Sequence, residues 1–110
     1  MRFFRSERVS SLIQSELSKI IAREVEFPVG SLATIVNVDV DKKLERAKIG
    51  VSVIPESAAA DALRIVNDRA SELQFLLSRT LNIKPMPRLM FQLDHGNENA
   101  AIVEKTLLNE

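Results

Sequence analysis

Apolar positions recur along this chain with two different periods, and the points where the period changes divide it into elements. Between residues 7 and 26, Val9, Leu12, Ile13, Leu17, Ile20, Ile21 and Val25 fall at steps of three and four. Ser10, Gln14, Ser18 and Arg23 take the opposite side, which predicts an amphipathic helix. Phe27-Pro28-Val29-Gly30 ends it, because Pro and Gly together mark a turn. The period then falls to two. Residues 31–40 read as a strand with Leu32, Thr34, Val36, Val38 and Val40 on one face, all β-branched except Leu32. After a polar turn, Asp41-Lys42-Lys43-Leu44, residues 45–54 alternate cleanly. Ala47, Ile49, Val51 and Val53 are expected inward, and Arg46, Lys48, Gly50 and Ser52 outward. That pattern means one packed face and one that meets solvent or a partner. The two strands form a hairpin, closed by Pro55.

The helical period returns from Glu56 to Lys84, a stretch without Pro or Gly. Ala59, Leu63, Val66, Ala70, Leu73, Leu77 and Leu81 make one apolar stripe, while Asp61, Arg64, Asp68, Arg69, Glu72 and Arg79 fall mostly off it. Ser57 is placed to cap the start, and Pro85 and Pro87 stop the run. A straight helix of this length would reach about 40 Å, longer than a chain this size is wide. A break near the middle is therefore expected, at the small residues Ala70 and Ser71. Residues 88–94 then predict a third strand with Leu89, Phe91 and Leu93 on its core face. His95-Gly96-Asn97 is a turn, and a short tail helix follows, with Ala101, Ile102, Leu107 and Leu108 as its contacts.

The order α-β-β-α-α-β, plus the tail helix, predicts an α+β domain of two layers spanning residues 1–110. Each strand has one apolar side, so the helix–kink–helix and the first helix must share one face of a three-stranded sheet. A right-handed crossover through the two central helices sets the third strand parallel to the second.

Composition narrows the function classes. Apolar residues at 45% and charged residues at 27% are ordinary globular values. The absence of cysteine excludes a disulfide framework and a thiolate metal site, and suits a reducing, cytoplasmic setting. No apolar run approaches the roughly 20 residues a membrane span needs, so no membrane partner is expected. The basic N-terminus, Met1 to Arg8, lacks the apolar core of a signal peptide. Fifteen basic and fifteen acidic residues cancel, which taken alone argues against a nucleic-acid partner. The distribution argues the other way: Lys42, Lys43, Arg46 and Lys48 are offset internally only by Glu45, whereas residues 94–110 carry Asp94, Glu98, Glu104 and Glu110 against a single Lys105.

The order and spacing of several short pieces resemble one family, the bacterial ribosome-binding factor A, a single-domain relative of the type II KH fold. They are Arg8-Val9, Ile13, Glu16-Leu17, Ile20 and Glu24, then Pro28 and Gly30, then Thr34-Ile35, Val38, Asp41 and Leu44. Ala47 to Val53 and Pro87-Arg88-Leu89-Met90-Phe91 with Asp94 complete them. Three positions depart from the family's habit. Arg69-Ala70-Ser71 stands where Ala-x-Gly usually forms the interhelical kink, Gln74 replaces a basic residue just after it, and Arg88 replaces Glu. The resemblance implies a non-catalytic, cofactor-free assembly factor, acting as a monomer. Such a factor binds the free small ribosomal subunit and its rRNA, assists late maturation of the 5′ region of that rRNA, and serves growth in the cold.

Within that implied function the residues limit the manner of binding. Gly30, Gly50 and Gly96 make no Gly-x-x-Gly clamp of the kind sequence-reading KH domains use. The aromatics are Phe3, Phe4, Phe27, Phe75 and Phe91, which supplies base stacking poorly. Recognition of backbone and shape by Lys and Arg remains. The candidates are Lys42, Lys43, Arg46 and Lys48 on the hairpin, and Arg79, Lys84 and Arg88 around the end of the second central helix. For the hairpin group the plain alternative is a solvated face, and for the second group it is complementing the helix dipole. Arg2, Arg5 and Arg8 read equally as a phosphate-binding arm or a frayed terminus. His95 is a solvated turn residue, turn chemistry accounts for Asp41, and no catalytic triad, nucleotide loop or metal-ligand spacing appears. The rival reading is a protein-interaction adaptor using the same helices without touching RNA.

Overall fold

The computed structural model describes residues 5–83 and 85–94, so Arg2, Lys84, the turn at His95 and the expected tail helix lie outside the described residues. Helix α1 runs Arg5–Glu24 and strands β1 and β2 run Leu32–Val40 and Arg46–Ile54. A 3₁₀ turn, Glu56–Ala58, leads into α2 (Ala59–Asp68); α3 spans Ala70–Leu81 and β3 spans Arg88–Leu93. The sheet order is β1-β2-β3, with β1 antiparallel and β3 parallel to the central β2.

The core follows the two periods. Ile13, Leu17, Ile20 and Ile21 of α1, Ala62 and Val66 of α2, and Leu73 and Leu77 of α3 are buried against Ala47, Ile49, Val51 and Val53 of β2. All three helices therefore lie on one side of the sheet, and no described helix covers the other side. None of the helices among the described residues is long and apolar enough to cross a membrane.

Three local expectations need correction. The first concerns β1, where the register to β2 shifts between Ile35 and Asn37. A β-bulge at Val36 turns the strand over. Before it Ile35 faces the core and Leu32 and Thr34 are exposed; after it Val40 is buried and Val38 half-buried. The five residues assigned to one face are thus split between two. The second concerns Gly50, placed outward on the face expected to meet solvent or a partner. It is buried, because the Asn37 side-chain amide donates a hydrogen bond to Asp94 directly over it. A Cβ there would stand 2.5 Å from Asn37 Oδ1 and 2.8 Å from Asp94 Oδ2. Only glycine lets those two side chains bridge the strands. The third is Ser57, which lies inside the 3₁₀ turn and caps nothing; α2 starts from Ala58 with no side-chain cap.

The long helical stretch breaks at Arg69, whose φ of −104° and ψ of 10° leave the helical region. Ser71 lies within α3, and among the described residues the non-glycine positive-φ positions are Leu44 and Asn82. Ser71→Gly is therefore expected to cost about 0.5–1 kcal/mol, as an exposed helix position does. Thermal unfolding checks this, and a gain in stability would place the strained residue of the kink at Ser71. Asn82 closes α3 in the left-handed region at φ 52°, a conformation Asn adopts more readily than most residues.

Candidate nucleic-acid interface

The hairpin tip is built by one carboxylate and one leucine. Asp41 Oδ1 accepts the backbone N–H of Glu45 at 2.7 Å and of Arg46 at 3.3 Å, while the Leu44 N–H reaches the Asp41 carbonyl at 3.0 Å. Leu44 is held at φ 60°, which costs a side-chain-bearing residue about 1–2 kcal/mol. Its side chain is 6% exposed, and burying a leucine contributes about 1.5–3 kcal/mol, which offsets the strain. The tip is thereby pinned to the core with Lys42 and Lys43 exposed on it.

Beyond the tip, cations continue along the uncovered sheet face. Arg46 and Lys48 are exposed on β2, and Arg88 on β3. The parallel register makes Arg46 and Arg88 direct partners, and strands so paired lie about 4.8 Å apart. Like charges placed opposite each other destabilise a sheet by a fraction of a kilocalorie per mole. Asp39 opposes Lys48 across the hairpin and offsets part of its charge. The ion pairs among the described residues use Lys19, Arg23, Arg64 and Arg69. None of the described candidates, Arg5, Arg8, Lys42, Lys43, Arg46, Lys48, Arg79 and Arg88, is engaged in one.

Arg5 and Arg8 stand exposed at the start of α1, on the end of the helix that borders the hairpin. Ser10 makes that border: its Oγ accepts the Val40 N–H at 3.2 Å and donates to the Ser6 carbonyl at 2.7 Å. The sequence offered no reason to single out Ser10, since a serine on a wet helix face is commonplace by spacing alone.

At the kink, the three residues Arg69, Ala70 and Ser71 do different things. Arg69 is structural. Its guanidinium donates to the Glu24 carbonyl at the end of α1 and pairs with Glu72 at 2.7 Å, tying the break to the neighbouring helix. Ala70 and Ser71 open instead onto a groove of about 700 Å³ between the kink and the free edge of β3. Gln74 guards one end of it. Its Oε1 accepts the Leu89 N–H at 2.9 Å and its Nε2 donates to the Pro87 carbonyl at 2.6 Å, as the peptide group of a neighbouring strand would. Leaving such part-buried groups unpaired would cost about 1–3 kcal/mol.

Arg46 and Arg88 reach this groove too, beside Asn67 and Met90, and no acid among the described residues lines it. The structure thus brings Arg46 and Arg88 together and leaves Arg79 apart from them. Arg79 lies over the Phe75 ring, 5.7 Å from its centroid, and Phe75 is 58% exposed. That aromatic went unassigned by sequence reasoning. The available signal was its place off the apolar stripe, four residues before an arginine.

Set against known proteins, the chain matches the family described as Ribosome-binding factor A over residues 5–107. It is 31% identical over 116 residues to the ribosome-binding factor A of Stutzerimonas stutzeri strain A1501, covering 98% of this chain and 90% of that protein. Against the factor of Pseudomonas putida strain F1 it is 31% identical over 115 residues, covering 98% and 87%. The backbone is similar to the crystal structure of ribosome-binding factor A from Thermus thermophilus, with a TM-score of 0.70 at 20% identity over 80% of this chain and 94% of that one. A homology model of the Thermus thermophilus factor, fitted into a cryo-EM map of a 30S–RbfA complex, gives 0.60 at 24% identity over 76% and 92%.

Proposed function

The chain belongs to the ribosome-binding factor A family, and from that premise we propose that it binds the free small ribosomal subunit by contacting small-subunit rRNA. It acts without catalysis or cofactor, in the cytoplasm, in late maturation of the 5′ region of that rRNA and in growth at low temperature. The partner is the one named for the Thermus thermophilus factor in its 30S complex. The observation that carries the RNA contact is the Arg46–Arg88 pair, two exposed cations side by side, neither of which forms an ion pair among the described residues. Such an arrangement is unfavourable in the free protein and is relieved by an anion. Phosphates are the anions that rRNA presents on its surface, so the strip from Lys42 to Arg88 fits a backbone contact.

Phosphate contacts make binding salt-dependent. The logarithm of affinity for the small subunit is expected to fall linearly with the logarithm of salt, by roughly 0.7–0.9 per neutralised phosphate. Replacing Lys42, Lys43 and Lys48 together with Ala is expected to weaken binding and to flatten that slope by about two. Co-sedimentation with free small subunits across a salt series measures both. Binding indifferent to salt would remove the electrostatic account and favour a protein partner. The exposed register pair Leu32 and Ile54, at the opposite end of the sheet, would be its first suspect surface.

A further inference from the structure

The direction in which each backbone group of the sheet points follows from the bonds at its ends. The Glu45 and Val51 carbonyls accept the Arg88 and Asp94 N–H groups at 2.9 Å, so the odd-numbered residues along β2 turn toward β3. Alternate residues of a strand point to opposite sides, so the even-numbered ones turn toward β1. The Arg46 carbonyl fits this, accepting the Asp41 N–H at 3.1 Å. On β1, Leu32 and Thr34 stand opposite Ile54 and Ser52 and bond inward to them. Ala33 and Ile35 stand opposite Val53 and Val51 and turn their N–H and C=O groups to the free edge. Past the bulge the same rule turns Val40 outward, and its N–H goes to Ser10 Oγ at 3.2 Å. No such cover reaches Ala33 and Ile35 among the described residues.

That part of the edge opens on a groove of about 380 Å³ between β1 and the C-terminal end of α1. The volume lies within the range of sites that enclose ligand groups, about 300–1,000 Å³. Ile21, Ala22 and Val25 line it from the helix side, and Phe27, Ala33 and Ile35 from the strand side. Ala22 and Ala33 are small and Ala22 is exposed, so the floor is apolar and recessed. On the other face of the same edge Leu32 is 63% exposed. The bulge at Val36 ends the regular edge, which limits the site to a few residues.

The charge beside the groove has one sign. Glu26 stands between Val25 and Phe27, is exposed, and forms no ion pair among the described residues. The cations on this end of α1, Lys19 and Arg23, are paired with Glu16 and Glu24. Two donor–acceptor sets about 7 Å apart match an extended polypeptide, whose own amides repeat at that spacing. A sugar–phosphate backbone repeats no amide donors.

We propose that the β1 edge from Ser31 to Ile35 takes a short extended segment of a partner protein as a fourth strand. One apolar side chain of that segment enters the groove over Ala22 and Ala33, and a neighbouring Lys or Arg meets Glu26. Strand addition of this kind draws affinity from main-chain bonds and specificity from pockets for alternate side chains. The site is on the opposite edge of the sheet from Arg88 and is independent of the RNA contact. A second copy of this chain is the poorer occupant, because its β1 carries Asp39 and no base.

The test uses the whole chain and two labelled peptides of about eight residues, one alternating valine with lysine and the other valine with aspartate. The lysine peptide is expected to bind roughly tenfold more tightly or better. At saturation it is expected to slow amide hydrogen exchange at Ala33 and Ile35 by roughly tenfold, while Thr34, already bonded to β2, changes little. Ala22→Phe fills the groove from an exposed helix position and is expected to weaken the lysine peptide by roughly tenfold with the melting temperature unmoved. Glu26→Lys is expected to remove the preference between the two peptides. Failure of the lysine peptide to bind, equal affinity of both peptides for the parent, or unchanged exchange at Ala33 and Ile35 overturns the proposal. Slow exchange of both amides before any peptide is added overturns it as well. If that protection grows with protein concentration the edge belongs to a second copy, and if it does not, to another part of the same chain.

Discussion

Phe91→Ala is expected to destabilise the fold by about 3–5 kcal/mol, a large part of the total stability of a chain this size. Phe91 is 8% exposed and lies on β3 directly beside Ile49 of β2, which is fully buried. Truncating it removes the largest side chain of the edge strand from the layer between sheet and helices. The cavity left adds to the lost transfer energy, because neighbours collapse into such a space only partly. Chemical denaturation of the parent and the variant measures the difference. A loss under about 1 kcal/mol would mean that β3 contributes little to the core and is held by its backbone alone.

The second large effect separates binding from stability. Replacing Arg46 and Arg88 together with Thr removes a like-charged neighbour pair and installs a good strand former at two exposed positions. The melting temperature is expected to hold or rise by a few degrees. Affinity for the small subunit is expected to drop by roughly tenfold or more, since two charge-assisted contacts disappear. Both quantities can be read on the same preparations. A variant that is less stable and binds normally would make the pair a scaffold feature and move the RNA contact to the hairpin tip.

How far the sequence led depends on polar contrast between neighbouring positions. In β2 the contrast is sharp, Arg46-Ala47-Lys48-Ile49, and the buried set is the predicted one with Gly50 added. Around the bulge of β1 it is absent: Ile35 and Val36 are both apolar and β-branched, so alternation fits either face. Only the pairing with β2 decides the face there, and pairing is a tertiary fact. The helix break was foreseeable from length, and its position beside two small residues from composition, yet the role of Arg69 depends on where α1 happens to end. The groove was out of reach for a similar reason. Asn67, Ser71 and Gln74 come from the helices, and Arg46 and Arg88 from strands that become neighbours only through the parallel register.

The amide of Gln74 also bears on how the protein behaves among copies of itself. A three-stranded sheet has two open edges, and each is a template on which a foreign strand can grow. On β3 the first rung of that template is already taken, since Gln74 satisfies the Leu89 N–H and the Pro87 carbonyl. On β1 the bulge at Val36 interrupts the regular spacing of the ladder. Neither edge offers an unbroken row of backbone groups. The described part of the sheet thereby resists edge-to-edge aggregation while its outer face stays open to a partner.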